Sequence, residues 1–425
     1  MLFQSKCDLE KSSLLFFAPI LSYPPATGPE ISVVNAIKCL STSVNLHIIT
    51  TVNENAISDR QTKDFLTTSA CAIQCAPTSF WWSKHNHIHR WLRRVRRLFS
   101  PLFGFADAVY ISYYIRKNRI SILWIDRVLE HSFFVFLFLR IFNGQTQMVA
   151  DTEAVHSRFI SRELPFIRNF LRFIYVYLAG RFARFCEVLL VKSADVITVV
   201  SDFDADYFRA IKCLHRRALI MRFSNVVDLD AYKDCKKEVY SVDHPLQVLL
   251  VGQFGNIYSP MDRAAKWISE DILPIVWERY PSLTLTIIGR RSEITQSHLA
   301  CERILVLGEV KELMPYLRDA TLTVVPLQFE SGTRFKILES GAAALACVST
   351  SLGAEGLDVT DGENILIADE TESFATAIIS VLSSLELQQK LGSNLHEFVK
   401  QNYSLQKQTE EGEIILKRLN SMCDA

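Results

Sequence analysis

Short apolar runs alternate with amphipathic stretches along almost the whole chain. Residues 14–20 (LLFFAPI) are apolar on both sides, and a turn rich in Pro and Gly leads from them into a helical pattern at residues 31–40. Further strand-like runs follow, with helical stretches between most of them, at 47–51, 121–125, 147–150 and 196–200. Apolar strands that alternate with helices predict a parallel sheet covered on both faces.

The same alternation restarts at residues 247–251 (QVLLV), after a polar stretch at residues 233–244 that has no strong hydrophobic period. The later strand-like runs are 283–288, 304–307, 322–325, 347–349 and 365–367. The pattern therefore predicts an α/β fold with two doubly wound, Rossmann-like domains that face each other across a cleft. In open parallel sheets, ligands bind at the carboxyl ends of the strands.

The predicted domain boundaries follow from these patterns. We expect an N-terminal domain at residues 1–232, a hinge at 233–246, a C-terminal domain at 247–400, and a helix at 401–425 that packs back on the first domain.

Composition narrows the classes of function. Among 425 residues, 46 Lys and Arg balance 46 Asp and Glu, so the chain lacks the basic field typical of duplex nucleic-acid binders. The longest apolar run, residues 133–139, is too short to span a bilayer, and the 10 cysteines are scattered. We expect a cytoplasmic protein in a reducing compartment, with neither an export signal nor a membrane span.

Residues 324–356 (VVPLQFESGTRFKILESGAAALACVSTSLGAEG) carry the clearest chemistry. A buried strand ends near Pro326, a loop with Ser331 and Gly332 follows, and a helix is predicted to begin near Arg334. The unpaired amides at such a helix start, from Thr333 onward, form an anion site that suits a diphosphate.

Two charged residues on the predicted helix support a ligand there. Arg334 and Lys336 in its first turn oppose the helix dipole, which is easier to understand if a bound anion offsets them. Glu339 would face the same site, where a carboxylate accepts hydrogen bonds from a sugar diol. The alternative is an ordinary strand and helix with these side chains solvated on the surface.

This segment resembles the C-terminal domain of family 4 glycosyltransferases of the GT-B fold. Other motifs match in the family's order, namely SYPPATG, ADVITVVSDFDAD, SNVVDLDAY, LVGQFG, IIGRR and LRDATLTVVPL. Single motifs are weak, but the resemblance covers nearly the whole chain.

The resemblance implies roles for individual positions. Glu339 matches the second glutamate of the family's pair, which binds the nucleotide ribose. The first glutamate would fall at Ser331, with Glu330 one place earlier. Gln253 stands where the family often has a diphosphate-binding Arg, so Arg334, Lys336 and Arg290 become candidates to neutralise the charge. The remaining positions matched to the donor site are Gly28, Gly252, Glu309, Val310, Gly332 and Thr333.

Polar residues also follow predicted strands of the first domain. Asp151, Glu153 and His156 come after the strand at 147–150, and Asp126 comes directly after SILWI. In related enzymes a His or Asp at this rim contacts the sugar or acceptor. Structural roles for these side chains remain the alternative.

Two further patterns concern metals and membranes. The alternating histidines at positions 85, 87 and 89 (HNHIH) need a further ligand and a fixed loop to bind a metal. The family generally needs no catalytic metal, so we expect none. Residues 84–97 hold six Lys or Arg and no acid, and residues 165–184 combine aromatic residues with arginines, as interfacial helices do. The alternative for the second segment is that its aromatic residues fill the first-domain core.

The resemblance thus implies a retaining, metal-independent glycosyltransferase that uses a nucleotide-diphosphate sugar and needs no further cofactor. Glu339, His156 and Arg334 are the candidate catalytic residues. The acceptor would be a glycan or a lipid-linked molecule, as in polysaccharide biosynthesis, at an anionic membrane surface. The alternative is a non-catalytic, degenerate glycosyltransferase that acts as a partner or scaffold.

Overall fold

The computed structural model describes most of the chain. It covers residues 3–4, 11–57, 59–79, 100–129, 131–211, 218–235, 245–255, 259–330, 332 and 335–423. Two compact units divide these residues. The first contains residues up to 154, 182–225 and 408–425, and the second contains 155–181 and 226–407. The segment 155–181 thus packs with the second unit, although the predicted boundary placed it in the first domain.

The apolar runs of the first unit pair into one sheet, which has eight strands within the described residues. The strands are β1 (Phe3–Gln4), β2 (Ser13–Ala18), β3 (Asn45–Thr50), β4 (Ala72–Cys75), β5 (Ile122–Ile125), β6 (Gln147–Thr152), β7 (Val196–Val199) and β8 (Leu219–Arg222). Their order across the sheet is β1-β4-β3-β2-β5-β6-β7-β8. All neighbours run parallel except β1 and β4, which are antiparallel. Of the parallel strands, the two-sided apolar runs predict β2, β3, β5, β6 and β7.

Eight α-helices connect the described strands or cover the sheet. They are α1 (Gly28–Ser43), α2 (Glu54–Ile57), α3 (Arg60–Ser69), α4 (Ser100–Asn118), α5 (His131–Phe142), α6 (His156–Glu163), α7 (Phe170–Ser193) and α8 (Asp202–Arg209). A 3₁₀ turn (Leu164–Phe166) lies between α6 and α7. Of these, α6, the 3₁₀ turn and the first half of α7 fall in the segment that packs with the second unit.

The second unit contains a parallel sheet of six strands within the described residues. The strands are β9 (Gln247–Val251), β10 (Thr284–Ile288), β11 (Ile304–Gly308), β12 (Leu322–Val325), β13 (Ala346–Ser349) and β14 (Leu366–Ile367). They lie in the order β11-β10-β9-β12-β13-β14. The strand order reverses at β9, so the connections after β9 and β12 lead to opposite faces of the sheet. The crevice between these two connections is where ligands bind in such sheets.

The remaining helices follow the same alternation. They are α9 (Pro260–Trp267), α10 (Leu273–Arg279), α11 (Ser292–Thr295), α12 (Met314–Asp319), α13 (Phe335–Ala342), α14 (Ser351–Ala354), α15 (Thr371–Ser383), α16 (Leu385–Asn402) and α17 (Leu405–Cys423). A π-helical turn (Ile268–Ile272) joins α9 to α10, and 3₁₀ turns lie at Leu229–Cys235 and Ser297–Leu299.

The last helix, α17, completes the core of the first unit. Ile415, Leu416 and Leu419 are buried in the same cluster as the first-sheet strands. Near its start, Glu411 accepts hydrogen bonds from the backbone N–H and the hydroxyl of Ser224, at 2.6 and 2.9 Å. Burial of three large aliphatic side chains contributes several kcal/mol, about 1.5–3 kcal/mol each. None of the described helices is long and apolar enough to cross a membrane.

Candidate functional site

Three glycines tie together the loops at the carboxyl ends of β9, β10 and β11. The N–H of Gly252 donates to the carbonyl of Ile288 at 2.9 Å, and the N–H of Gly289 donates to the carbonyl of Gly308 at 2.8 Å. A Cβ atom on Gly289, whose φ is +144°, would lie 1.6 Å from the Gly252 carbonyl oxygen. The backbones are this close because side chains are absent, so the three loops form one rigid edge.

The predicted donor-site residues Arg290 and Glu309 extend this edge. The Arg290 Nε atom lies 3.6 Å from the Glu309 Oε2 atom, and both side chains reach solvent. Val310, next along the chain, packs against the core of the second unit. An exposed ion pair contributes little stability. The pair therefore positions two polar side chains at the loop edge rather than stabilising the fold.

Helix α13 begins at Phe335, close to the predicted start at Arg334. Gly332, in the loop before it, has a φ of +91°, a backbone conformation that favours glycine. Ser331, Thr333 and Arg334 lie outside the described residues.

Glu339 is half-buried within the second unit. Its Oε1 atom accepts a hydrogen bond from the buried Tyr232 hydroxyl at 3.0 Å. Burial raises the pKa of the Glu339 carboxyl, while the Tyr232 hydrogen bond and the charge of Lys336 oppose that rise. Burial, together with the charge of Glu339, raises the pKa of Tyr232 well above its usual value, so this phenol stays a hydrogen-bond donor at neutral pH.

A small cavity lies beside this carboxylate. Lys336, Glu339 and Ser340 of α13 line one side, and Val251 and Val325 at the ends of β9 and β12 line another. The cavity thus joins the two strand ends at which the order of the second sheet reverses. Ser340 itself is held by hydrogen bonds, since its hydroxyl lies 2.6 Å from the Lys336 carbonyl and 2.7 Å from the Thr323 hydroxyl.

The loop before α13 is anchored by the segment 155–181. The ring of Phe166 packs on the ring of the buried Phe329, with centroids 5.0 Å apart. Arg162 of α6 binds both carboxylate oxygens of Glu355 at 2.7 Å and also donates to the Glu330 carbonyl at 2.7 Å. Such bidentate pairs are among the stronger charge-assisted contacts in proteins. Arg162 is therefore a positioning residue for this loop.

A further cation that the sequence analysis did not identify reaches the same loop. The guanidinium of Arg263, in α9, lies 4.2 Å from the centre of the Phe166 ring, and it donates to the Gln328 side chain at 3.3 Å. Burial and the nearby charge of Arg168 lower the pKa of Arg263. A partly buried guanidinium with a second positive charge beside it favours an anion nearby. Gln253, by contrast, is exposed on the loop after β9.

In the first unit, Gly28 is the first residue of α1, at a well-capped helix start. The N–H groups of Ala26 and Thr27 donate to the Glu30 Oε2 atom at 3.1 and 3.2 Å. This capping box fixes the loop after β2, as the turn SYPPATG predicts.

Three carboxyl groups meet at the carboxyl ends of β5 and β6 in the first unit. Asp126 and Asp151 are buried, and Glu153 forms an ion pair with Arg127. Asp151 accepts hydrogen bonds from the Thr198 hydroxyl at 2.7 Å and the Trp124 indole at 3.2 Å. Asp126 follows β5 as predicted, whereas Asp151 lies inside β6, which ends at Thr152 and not at residue 150.

The environment of these carboxyl groups favours their protonated forms. Burial, reinforced by the charges of Glu153 and Asp151, raises the pKa of Asp126 well above its usual value. Burial raises the pKa of Asp151 to about 6, although its hydrogen bonds from Thr198 and Trp124 oppose the rise. Burial also raises the pKa of Glu153, and Arg127 opposes it.

The raised pKa of Asp151 predicts that the first unit loses stability as pH rises. The folded form binds a proton more tightly than the unfolded form, so this contribution is complete below the unfolded pKa of 3.8 and is lost by about pH 6. We expect the free energy of unfolding to fall by about 3 kcal/mol over this range from Asp151 alone. Urea unfolding followed from about pH 4 to about pH 8 measures it.

Asp126 provides the matched test of this dependence. The variant Asp126→Asn removes one of the three coupled carboxyl groups, so its loss of stability with rising pH should be clearly smaller than in the natural chain. Asp64→Asn removes an exposed carboxylate on α3 and should leave the dependence unchanged. Equal pH profiles for the natural chain and Asp126→Asn would contradict the raised pKa values.

His156 begins α6, in the segment that packs with the second unit. Its ring stacks on that of Phe159, with centroids 6.4 Å apart. Within the described part of the chain, no group of three or more His, Cys, Asp or Glu side chains is placed to hold a metal ion. The histidines at 85, 87 and 89 lie outside the described residues.

The contacts missed from the sequence join segments far apart along the chain. Tyr232 lies in the motif SNVVDLDAY and reaches Glu339, 107 residues later. Arg162 and Glu355 are 193 residues apart. In the sequence, Tyr232 and Glu355 are marked only by the motifs that contain them, SNVVDLDAY and GAEG. These motifs do not indicate which residues Tyr232 and Glu355 contact.

Part of the second unit is similar to a known protein family. Residues 248–384 match the family model described as glycosyl transferases group 1. A Klebsiella pneumoniae protein, described as an uncharacterized 44.6 kDa protein in cps region, is 25% identical over 174 residues. That match covers 39% of this chain and 44% of the relative, so it spans less than half of the relative's length.

Solved structures resemble this chain over nearly its whole length. Sucrose-phosphate synthase from Thermosynechococcus elongatus has a TM-score of 0.69 at 15% identity, over 97% of this chain and 100% of that one. TarM has a TM-score of 0.68 at 11% identity, over 98% and 99%. Anabaena HepE, in complex with UDP and glucose, has a TM-score of 0.62 at 12% identity, over 95% and 99%. At these identities the likeness shows the fold, and the predicted α/β GT-B fold is confirmed.

Proposed function

We propose that this chain transfers a sugar between substrates, because it has the GT-B fold of glycosyltransferases and its residues 248–384 match the model of glycosyl transferases group 1. The donor is a nucleotide-diphosphate sugar, and the acceptor is a glycan or a lipid-linked molecule. The second unit binds the donor and the first binds the acceptor.

One observation carries the donor assignment. Glu339 is a half-buried carboxylate with one oxygen held by Tyr232, and it lies on α13, within the family-matched segment. Its other oxygen, Oε2, is the acceptor for a ribose hydroxyl. The N–H groups at the start of α13 and Lys336 face the diphosphate. HepE was solved with UDP and glucose, which supports a uridine nucleotide as the first donor to test.

Charge neutralisation is the step that this chain performs differently from the family's usual pattern. Gln253 supplies no positive charge where an Arg is common. Arg263 compensates, because its guanidinium already reaches Gln328 in the loop before α13. Arg290 and Arg334 add further positive charge. Together they stabilise the charge that develops on the leaving diphosphate.

The reaction retains the anomeric configuration and uses no catalytic metal. The acceptor hydroxyl attacks the anomeric carbon from the face that the diphosphate leaves. A carbon–oxygen bond forms to the acceptor, the bond to the β-phosphate oxygen breaks, and that phosphate takes the acceptor proton. No side-chain nucleophile is required, and His156 is the candidate to orient the sugar or acceptor.

The competing proposal is a non-catalytic relative that serves as a partner or scaffold. It rests on Gln253 and on Ser331 in place of the family's first glutamate. Transfer of a radiolabelled sugar from donor to an acceptor extract separates the two, since a scaffold binds without making product.

A thermal-shift screen with UDP and GDP sugars tests the proposal. A donor held at about 100 times its Kd stabilises the folded state by about 2.7 kcal/mol, or about 5 °C or more in Tm for a unit of this size. The matching nucleoside monophosphate should give a smaller shift. Arg263→Gln should reduce the shift with the sugar nucleotide more than with the monophosphate. If no nucleotide sugar shifts Tm, the proposed donor site is wrong.

A further inference from the structure

Helix α7 exposes an apolar stripe along one side. Leu171, Ile174, Leu178, Phe182 and Phe185 follow one another at spacings of three and four residues, which places them on one face. Their exposed fractions are 76%, 40%, 59%, 56% and 56%. In a soluble fold these side chains would normally face the core.

The opposite side of the same helix is already packed. Val176, Ala183, Glu187 and Leu190 follow the same spacing on the other face and are buried. The helix therefore has two apolar faces, one packed in the protein and one exposed. The interpretation that the aromatic residues of this segment fill the first-domain core is wrong, since Phe170 is 74% exposed.

The exposed surface of α7 carries positive and no negative charge. Arg181 and Lys192 are exposed, whereas the one acidic residue of the helix, Glu187, is buried and accepts a hydrogen bond from Tyr207. Contiguous apolar surface next to cations is typical of a binding site for an apolar, anionic partner.

Tyrosines border the apolar stripe. Tyr175 and Tyr177 lie on its two sides and are 66% and 49% exposed. Tyrosine has an apolar ring and a polar hydroxyl, so it favours the boundary between hydrocarbon and water.

We propose that α7 binds the headgroup region of an anionic lipid bilayer, with its axis along the surface and its apolar stripe inserted. The helix is about 36 Å long, so one face makes an extended contact. Arg181 and Lys192 would then contact lipid phosphates. The inference deepens the proposed function, on which its link to a lipid-linked acceptor rests.

A second copy of the chain fits this face less well. Arg181 stands at the middle of α7, so a two-fold pairing of the stripes about their centre would bring the two Arg181 side chains together. Like charges at a desolvated contact oppose association. Lipid phosphate, in contrast, complements the same residue.

Vesicle co-sedimentation tests the proposal on the full chain. The stripe variant carries Leu171→Gln, Leu178→Gln and Phe182→Gln, and all three side chains are exposed, so its fold should persist. We expect strong binding of the natural chain to vesicles of equal parts phosphatidylcholine and phosphatidylglycerol, and at least about tenfold weaker binding of the stripe variant.

The matched control introduces the same kind of substitution, apolar to Gln, outside α7. Ile294→Gln, Leu305→Gln and Leu385→Gln replace three exposed apolar side chains on other elements of the second unit and should leave vesicle binding unchanged. The charge variant Arg181→Glu with Lys192→Glu should weaken binding to the anionic vesicles by about fivefold or more for each cation lost. It should have little effect on binding to phosphatidylcholine alone.

Three results would overturn the proposal. The first is undiminished sedimentation of the stripe variant while reversal of Arg93, Arg94, Arg96 and Arg97 abolishes it, which would move the lipid contact to residues 84–97. The second is a natural chain that is dimeric in light scattering and becomes monomeric in the stripe variant, without vesicle binding. The third is equal loss in the matched control.

The two proposals fail separately. Calorimetric binding of a nucleotide sugar in solution should be the same for the natural chain and the stripe variant, because α13 and α7 residues 171, 178 and 182 are different surfaces. Vesicle binding without nucleotide-sugar binding would remove the proposed function and leave the lipid surface in place.

Discussion

The variant Glu339→Ala is expected to lose most of its affinity for nucleotide sugars. The carboxylate is the proposed acceptor for ribose hydroxyls, and hydrogen bonds to a charged group contribute about 1.5–3 kcal/mol. We therefore expect an affinity roughly thirtyfold lower, measured by isothermal titration calorimetry with the donor that the thermal-shift screen identifies.

Two companion variants separate binding from folding. Removal of the Glu339 carboxylate also leaves the buried Tyr232 hydroxyl without its acceptor, which costs about 1–3 kcal/mol of stability. Glu339→Gln keeps an acceptor oxygen for Tyr232, so it should fold normally and still bind the donor weakly. Tyr232→Phe keeps the carboxylate and should bind nearly as the natural chain does. Natural affinity in folded Glu339→Ala would remove the ribose assignment.

The variant Gly289→Ala is expected to destabilise the second unit by about 4 kcal/mol or more. Its φ of +144° is strained for any residue with a Cβ, and the new atom would overlap the Gly252 carbonyl oxygen at 1.6 Å. To relieve the overlap, the loop after β9 must move. We expect a fall in Tm of about 10 °C, or a loss of soluble protein. The fraction that folds should bind the donor more weakly.

Gly362 supplies the matched control for backbone strain. It also has a positive φ, +74°, but a Cβ there would meet no atom within 4 Å. Gly362→Ala should therefore cost only about 1 kcal/mol and leave donor binding intact. If the two variants are equally stable, the close approach of Gly252 and Gly289 is not what fixes these loops.

Arg263 and Arg162 hold the loop before α13, and this affects how variants near that loop should be interpreted. Both contact the loop before α13, Arg263 through the Gln328 side chain and Arg162 through the Glu330 carbonyl, and Arg162 also binds Glu355, which follows α14. Loss of either side chain moves a loop whose amides are proposed to bind diphosphate. For variants at Arg162 and Arg263, the affinity for the donor should therefore be measured together with the rate of transfer. A displaced loop is expected to lower the affinity for the donor more than the rate of transfer.

The fold class was accessible from local pattern alone. Buried parallel strands are near-continuous apolar runs, and residues 247–251 form β9 with the predicted bounds. The helix expected near Arg334 begins at Phe335. The short strands β1, β4 and β8 were not predicted, because runs of two to four residues are too short to show a clear period.

The amphipathic helix at 170–193 shows the limit of such patterns. Apolar residues occur on both of its faces, and composition does not tell which face meets the core. Only the structure shows that Val176 and Leu190 are buried while Leu171 and Phe182 are exposed. The alternative of aromatic core residues there was wrong for this reason.

The sequence by itself determined the alternation of strands and helices, the strand-loop-helix that carries Glu339, and the polar residues that follow β5 and β6. These features depend on neighbours within a few residues, because the period of a helix or strand fixes the face on which each side chain lies. Tertiary structure alone decided that Tyr232 holds Glu339, that Arg162 and Arg263 fix the loop before α13, and that Gly252 and Gly289 touch. Each of these contacts joins segments separated by tens to hundreds of residues. Their geometry exists only once the sheet has assembled and brought its strand ends together.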